Sequence, residues 1–194
     1  VAGAAGSSGS AGEGEVVVVT VSGGSDDVNE DGSSFQTSDL AVWAGNGASE
    51  DGSFAGLRFN NVQVPVGATV TQARLELFDK DGQAQPFAVR IALEADANCK
   101  VFTPGLRPSA RIPTVASVSH VADGPWIAGV YNLLDDIKAP VQEVINRPAW
   151  APGNSLCVIV KGTGAPLARR NGVSFEGGNA FAPRLSIRFV VPNP

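Results

Sequence analysis

Residues 72–77, Gln-Ala-Arg-Leu-Glu-Leu, alternate polar and apolar without exception, so Ala73, Leu75 and Leu77 share one face and Gln72, Arg74 and Glu76 the other. A period of two fits only an extended strand with one buried face, because successive strand side chains point to opposite sides. The pattern returns along the chain. Phe54–Phe59 aligns Ala55, Leu57 and Phe59, and Phe87–Ala95 aligns Phe87, Val89, Ile91 and Leu93 with Arg90 and Glu94 outward. Ala182–Val191 alternates likewise, and Glu15–Ser22 is a β-branched strand. Ser155–Lys161 is apolar on both faces, as a central strand is. Shorter strands are expected at Asp39–Ala44, Thr114–Ala122, Trp126–Tyr131 and Val173–Glu176.

Helical spacing is confined to one place, where Leu134, Ile137, Val141, Val144 and Ile145 form an apolar stripe of about three turns. Pro140 must sit in the first turn of this helix, and Pro148 ends it. The Pro- and Gly-rich stretch 97–113 reads as a long excursion between sheets. Residues 23–34 read as an acidic loop. The predicted fold is all-β: a jelly-roll-like antiparallel β-sandwich over 15–194 with one short capping α-helix. Residues 1–14, rich in Gly, Ala and Ser, cannot build a core and read as a linker or assembly segment.

A net charge of −5 with only 14 Lys and Arg among 194 residues excludes the basic stripe that nucleic acid requires. No apolar run is long enough for a membrane span. The pair Arg169–Arg170 reads as a solvated loop or a loop anchor. Cys99 and Cys157 lack CxxC spacing and read as a disulfide rather than two buried thiols, pointing to an extracellular or cell-surface location.

The best-patterned polar cluster is Asp27-Val-Asn29-Glu-Asp31-Gly32, whose D-x-N-x-D-G spacing suits oxygen ligation of Ca²⁺ in a tight turn. Ser38 stands where an EF-hand needs glutamate, so a looser calcium loop completed by Asp26 or Asp39 is the expectation, against a plain acidic solvated hairpin. Trp43 and Trp126 are the candidate platforms for stacking on a sugar ring, whereas Trp150 reads as a packing plug. Asp79-Lys-Asp-Gly82 reads as a reverse turn. His120, the one histidine, has no nucleophile elbow or further nitrogen ligands to work with. Glu76, Glu94, Glu143 and Glu176 are the carboxylates a glycoside hydrolase would need, with Glu176 the one to watch.

The order of landmarks adds a resemblance. Ser25-Asp-Asp-Val-Asn-Glu30, Thr37–Leu40, Gly56-Leu-Arg-Phe59 and Val66–Leu75 are followed by Val141–Pro148, Ala151–Asn154, Ser174–Gly177 and Ala182–Ile187. Together they resemble the DNRLRE-type (disaggregatase-related) modules of secreted bacterial and green-algal proteins. That resemblance implies a non-catalytic jelly roll linked to polysaccharide binding. The lack of a partner domain and the long 99–113 excursion depart from the simple picture of a module on an enzyme. The expected function is a structural subunit of a surface fibre or matrix. Its leader and the strand Val16, Val17, Val18 and Val19 would lie against a neighbouring copy. The alternative is a carbohydrate-binding module with a calcium-ordered loop; a hydrolase comes third.

Overall fold

The computed structural model describes residues 14–49, 52–122 and 124–192. The expectation for residues 1–14 therefore falls, Gly14 apart, outside the described residues. In chain order the elements are β1 (Glu15–Thr20), β2 (Asp27–Asp31), β3 (Ser34–Gln36), β4 (Ala41–Gly45), β5 (Ser53–Phe59) and β6 (Thr69–Asp79). There follow β7 (Phe87–Leu93), β8 (Val118–Ala122), β9 (Val130–Asp136), α1 (Lys138–Ile145) and β10 (Leu156–Gly162). β11 (Arg169–Val173), α2 (Phe175–Gly178) and β12 (Arg184–Val190) complete the chain.

All pairings are antiparallel: a four-stranded sheet β1-β12-β6-β9, a six-stranded sheet β3-β2-β5-β10-β7-β8, and a ribbon β4-β11. Setting aside β2, β3, β4 and β11, eight strands remain, ordered first-eighth-third-sixth and second-seventh-fourth-fifth. This is the double Greek key of a jelly roll, and the fold is an all-β sandwich as the alternation predicts. The faces are those expected: Ala73, Leu75 and Leu77 meet Leu57, Phe59, Ile91 and Val158 in one buried cluster. The ribbon joins that core through small residues. Gly172 of β11 faces Leu77, and a Cβ there would lie 2.9 Å from the leucine side chain.

Some boundaries differ from expectation for clear reasons. α1 starts at Lys138, so Leu134 and Ile137 are buried ahead of the helix, Leu134 on β9. Pro140 does sit in the first turn, where its missing N–H is unneeded. α1 is fastened across the sandwich end: Gln142 Oε1 accepts from the Val70 N–H at 2.6 Å, and Glu143 accepts from Val115 and Ala116. Val173–Glu176 is not a strand; it holds the end of β11 and the start of α2, whose N-cap Ser174 accepts from the Gly177 N–H. Among the described residues there are therefore two short α-helices rather than one. The strand expected at Trp126–Tyr131 begins only at Val130.

The 97–113 excursion departs most from expectation. It links β7 to β8 within one sheet and lies over that sheet's outer face, not between the sheets. A covalent anchor and a steric fit hold it there. Cys99 and Cys157 form the disulfide, with a sequence separation of 58. Closing a loop of that size stabilises the fold by about 4 kcal/mol in the chain-entropy account. Val28, Cys99, Phe102 and Cys157 form a second small core, with Phe35 packed against it. Phe102 and Pro108 lie so close over Gly56 of β5 that a Cβ there would approach them to 2.7 and 2.8 Å. Arg111 is the polar hub. Its guanidinium donates to Glu94 at 2.6 Å and to the carbonyls of Lys100, Val101 and Leu106 at 3.0 Å, while stacking on Phe102.

Gly56→Ala is expected to lower stability by about 1–3 kcal/mol through overpacking against Phe102 and Pro108. Chemical denaturation checks it. A variant as stable as the parent would mean the excursion is not seated on β5.

Candidate functional site

The acidic segment is where local sequence and tertiary structure part company. Residues 27–31 form β2, an internal strand, and Asp26, Asp27, Asn29 and Glu30 are all buried. On a strand the side chains of 27, 29 and 31 share a face but sit about 7 Å apart, instead of converging as in a turn. The tight reversal comes only afterwards, at Gly32 with φ +57. The acidic hairpin exists, but it is not solvated.

Each predicted calcium ligand already has protein partners. Asn29 accepts from the Trp43 N–H at 2.9 Å and donates to Asp39 Oδ2 and the Ala41 carbonyl, holding β4 against β2. Asp31 accepts from the N–H groups of Ala48 and Ser49 at 3.0 Å and from the Ser53 hydroxyl at 2.8 Å. Burial alone would raise the Asp31 pKa; those three donors, helped by Arg169, outweigh it and hold the carboxyl below its ordinary value. Asp26 accepts from Arg58 at 2.9 Å and from Asn60 at 2.6 Å. Donor hydrogens thus face the oxygens of Asp26, Asn29, Asp31 and Asp39, a surrounding that repels a cation. These residues, as placed, do not fit Ca²⁺.

Asp27 is different. Its Oδ2 accepts from the Phe175 N–H at 2.7 Å, but its Oδ1 is buried without a partner. Burial pushes its pKa up to about 7; the Phe175 N–H opposes this, while Glu176 and Asp26 add to it. Among the described residues, this buried carboxyl beside the exposed Glu176 is the one titratable group with a large upward displacement.

The aromatic candidates also separate. Trp126 is 7% exposed and meets Phe87 edge-on at 5.5 Å, so it offers no face for stacking on a sugar. Trp43 on β4 is half-buried, with the Arg169 guanidinium 4.1 Å from its ring centroid, so one of its faces is covered. Trp150 is the packing plug expected, its Nε1 donating to the Val64 carbonyl at 3.0 Å. Arg170 is an anchor, not a solvated residue: fully buried, it donates to the carbonyls of Gln85 and Gly124 at 2.7 Å. Burial lowers its pKa, with Asp79 opposing. Asp79 starts the expected turn, accepting from Asp81 and Gln83.

Of the four carboxylates considered for glycoside hydrolysis, Glu176 is exposed on α2 and the other three are structural struts on separate elements. Glu76 pairs with Arg184, Glu94 with Arg111, and Glu143 holds the 115–116 backbone. His120 packs on Phe87 with its Nδ1 3.2 Å from Asp135. Glu94, Cys99 and Cys157 cluster closely enough to ligate a metal, but both sulfurs are taken up in the disulfide. Val16, Val17, Val18 and Val19 lie on β1, paired to the chain's own β12 at one edge of the four-stranded sheet.

Sequence reasoning left one row of side chains unassembled. On the outer face of the six-stranded sheet, Phe54 of β5, Lys161 of β10, Arg90 of β7 and Ser119 of β8 are consecutive cross-strand partners. The outward direction of Arg90 is readable from its alternation. Its neighbour across the ladder is not, because register is set by the whole sheet.

The folded chain holds the Asp27 proton more tightly than the unfolded chain, whose carboxyl titrates near 3.8. This contribution to stability is fully present below about pH 4 and is lost as pH rises through about 7. Asp27→Asn should match the parent in acid and exceed it increasingly up to neutral pH, by on the order of 1 kcal/mol per pH unit at most. Parallel melting-temperature profiles for the two proteins would contradict this.

No protein-family model matches the chain, and no curated protein matches it.

Proposed function

We propose that this chain is a non-catalytic extracellular β-sandwich that acts as a structural subunit of a surface fibre or matrix, joining a second copy of itself through the outer edge of β1. The observation that carries this reading is the state of that edge. Among the described residues β1 bonds to β12 on one side only, and Val16 and Val18 are 48% and 55% exposed on its outer face. Its sequence, Glu-Val-Val-Val-Val-Thr, contains no Lys, Pro or Gly to discourage pairing. Two of the other sheet edges are blunted: β3 has three residues, and β9 carries Asp135 and Asp136; the remaining edge, β8, is five residues long and interrupted by Ser119 and His120. An unprotected apolar edge recruits a strand from another chain through backbone hydrogen bonds.

The buried disulfide supports the extracellular part of the reading, since such bonds persist in oxidising compartments. The resemblance of the landmark order to DNRLRE-type modules supports a non-catalytic role. Among the described residues no helix is long and apolar enough to cross a membrane. A carbohydrate-binding role is the second reading, favoured by a groove on the opposite sheet.

Val16→Lys with Val18→Lys places charge on the outer face of β1 without touching the inward Val17 and Val19. Sedimentation of the full chain should show concentration-dependent association that this double variant abolishes while its melting temperature stays within a few degrees. A parent chain that remains monomeric at millimolar concentration would overturn the assembly role.

A further inference from the structure

We propose that the groove on the outer face of the six-stranded sheet binds an acidic polysaccharide, with Lys161 and Arg90 receiving its anionic groups and Phe54 its sugar ring. This deepens the carbohydrate-binding reading and uses a face other than the β1 edge, so either proposal can fail alone.

Lys161 and Arg90 are directly opposed on neighbouring strands, and like charges in that relation destabilise a sheet. Neither has a carboxylate partner among the described residues. Arg90 donates to the Ser117 hydroxyl at 2.9 Å, and Lys161 lies 5.5 Å from the Phe54 ring centroid. Four arginines have carboxylate partners, Arg58 with Asp26, Arg107 with Glu30, Arg111 with Glu94 and Arg184 with Glu76; what sets Lys161 and Arg90 apart from the other cations is that they are registered face to face. With 19 acidic residues against 14 basic ones, two cations set face to face run against the composition. A bound anion would relieve the repulsion between them.

The surroundings select the kind of anion. The two cations stand in a groove of about 280 Å³, with Phe54 and the buried Ile159 beside them and Pro108 and Pro113 among the residues across it. A small hydrated ion makes no use of that apolar lining. A pyranose does, placing its C–H face on Phe54 while a carboxylate or sulfate meets the cations. The wall is fixed before any ligand arrives. Glu30, next to Phe54 in the same cross-strand row, accepts from the Ser109 N–H and hydroxyl, while the disulfide and Arg111 pin the rest of the excursion. Little ordering is then required on binding, which favours affinity.

Affinity electrophoresis of the full chain through gels containing polygalacturonate, dextran sulfate or neutral dextran tests this. Retardation by at least one acidic polymer and none by neutral dextran is expected, and which acidic polymer binds separates a uronate from a sulfate-ester ligand. Lys161→Gln with Arg90→Gln should weaken binding at least tenfold, and Phe54→Ala severalfold with charge unchanged. Lys138→Gln, which removes an exposed cation on α1, should leave binding intact. Circular dichroism confirms that each variant is folded. Absence of retardation by both acidic polymers overturns the proposal. So does binding undiminished in the double variant, or equal retardation by polyglutamate, which would mean charge attraction without sugar recognition.

Discussion

β10 is covered on its inner face and, at Cys157, on its outer face, where the cover is bonded to it. Its inward side chains, Val158 and Val160, complete the sandwich core, while outward Cys157 is tied to Cys99 of the excursion. Without that tether, residues 97–113 would be a Pro- and Gly-rich loop of high conformational entropy resting on a flat sheet. With it, Phe102 settles over Gly56 and Arg111 gathers three backbone carbonyls and Glu94. The outer surface of the six-stranded sheet thereby acquires relief: a fixed wall over β2 and β5, and an open floor across β10 and β7.

Polar residues in this molecule mostly replace solvent for the backbone. Asn29, Asp31, Asp136, Gln142 and Glu143 each accept from main-chain N–H groups of other segments, so the connections between strands are ordered by buried or half-buried hydrogen bonds. A group consumed in this way is a poor candidate for chemistry or metal ligation. Among the described residues, what remains chemically unspent includes the cationic pair on the outer sheet, the β1 edge and the unpartnered buried atoms of Asp27, Asp79, His120, Arg147 and Arg170.

The alternating strands were legible because burial repeats with the same period as the backbone. Ala73, Leu75 and Leu77, or Phe87, Val89, Ile91 and Leu93, have one interpretation, and the structure has it. β2 was not legible, since Asp26, Asp27, Asn29 and Glu30 read as solvent-exposed until Arg58, Phe175, Trp43 and Ser109 supply their partners from distant segments. Trp126 followed the same logic: Gly124-Pro125 suggests a surface loop, but Phe87 and Arg170 enclose the indole. The stripe from Leu134 onward looked helical because a strand end and a helix start both bury apolar residues there. The Lys161–Arg90 juxtaposition needed strand register, which no local pattern encodes.

The disulfide builds the outer face and not the sandwich itself. Hydrogen–deuterium exchange on a Cys99→Ser, Cys157→Ser chain tests it directly. Amides of residues 97–113 should lose protection by orders of magnitude, while β6 and β12 keep theirs under conditions where the variant stays folded. Unchanged protection over 97–113, or loss spread evenly across both sheets, would contradict the account.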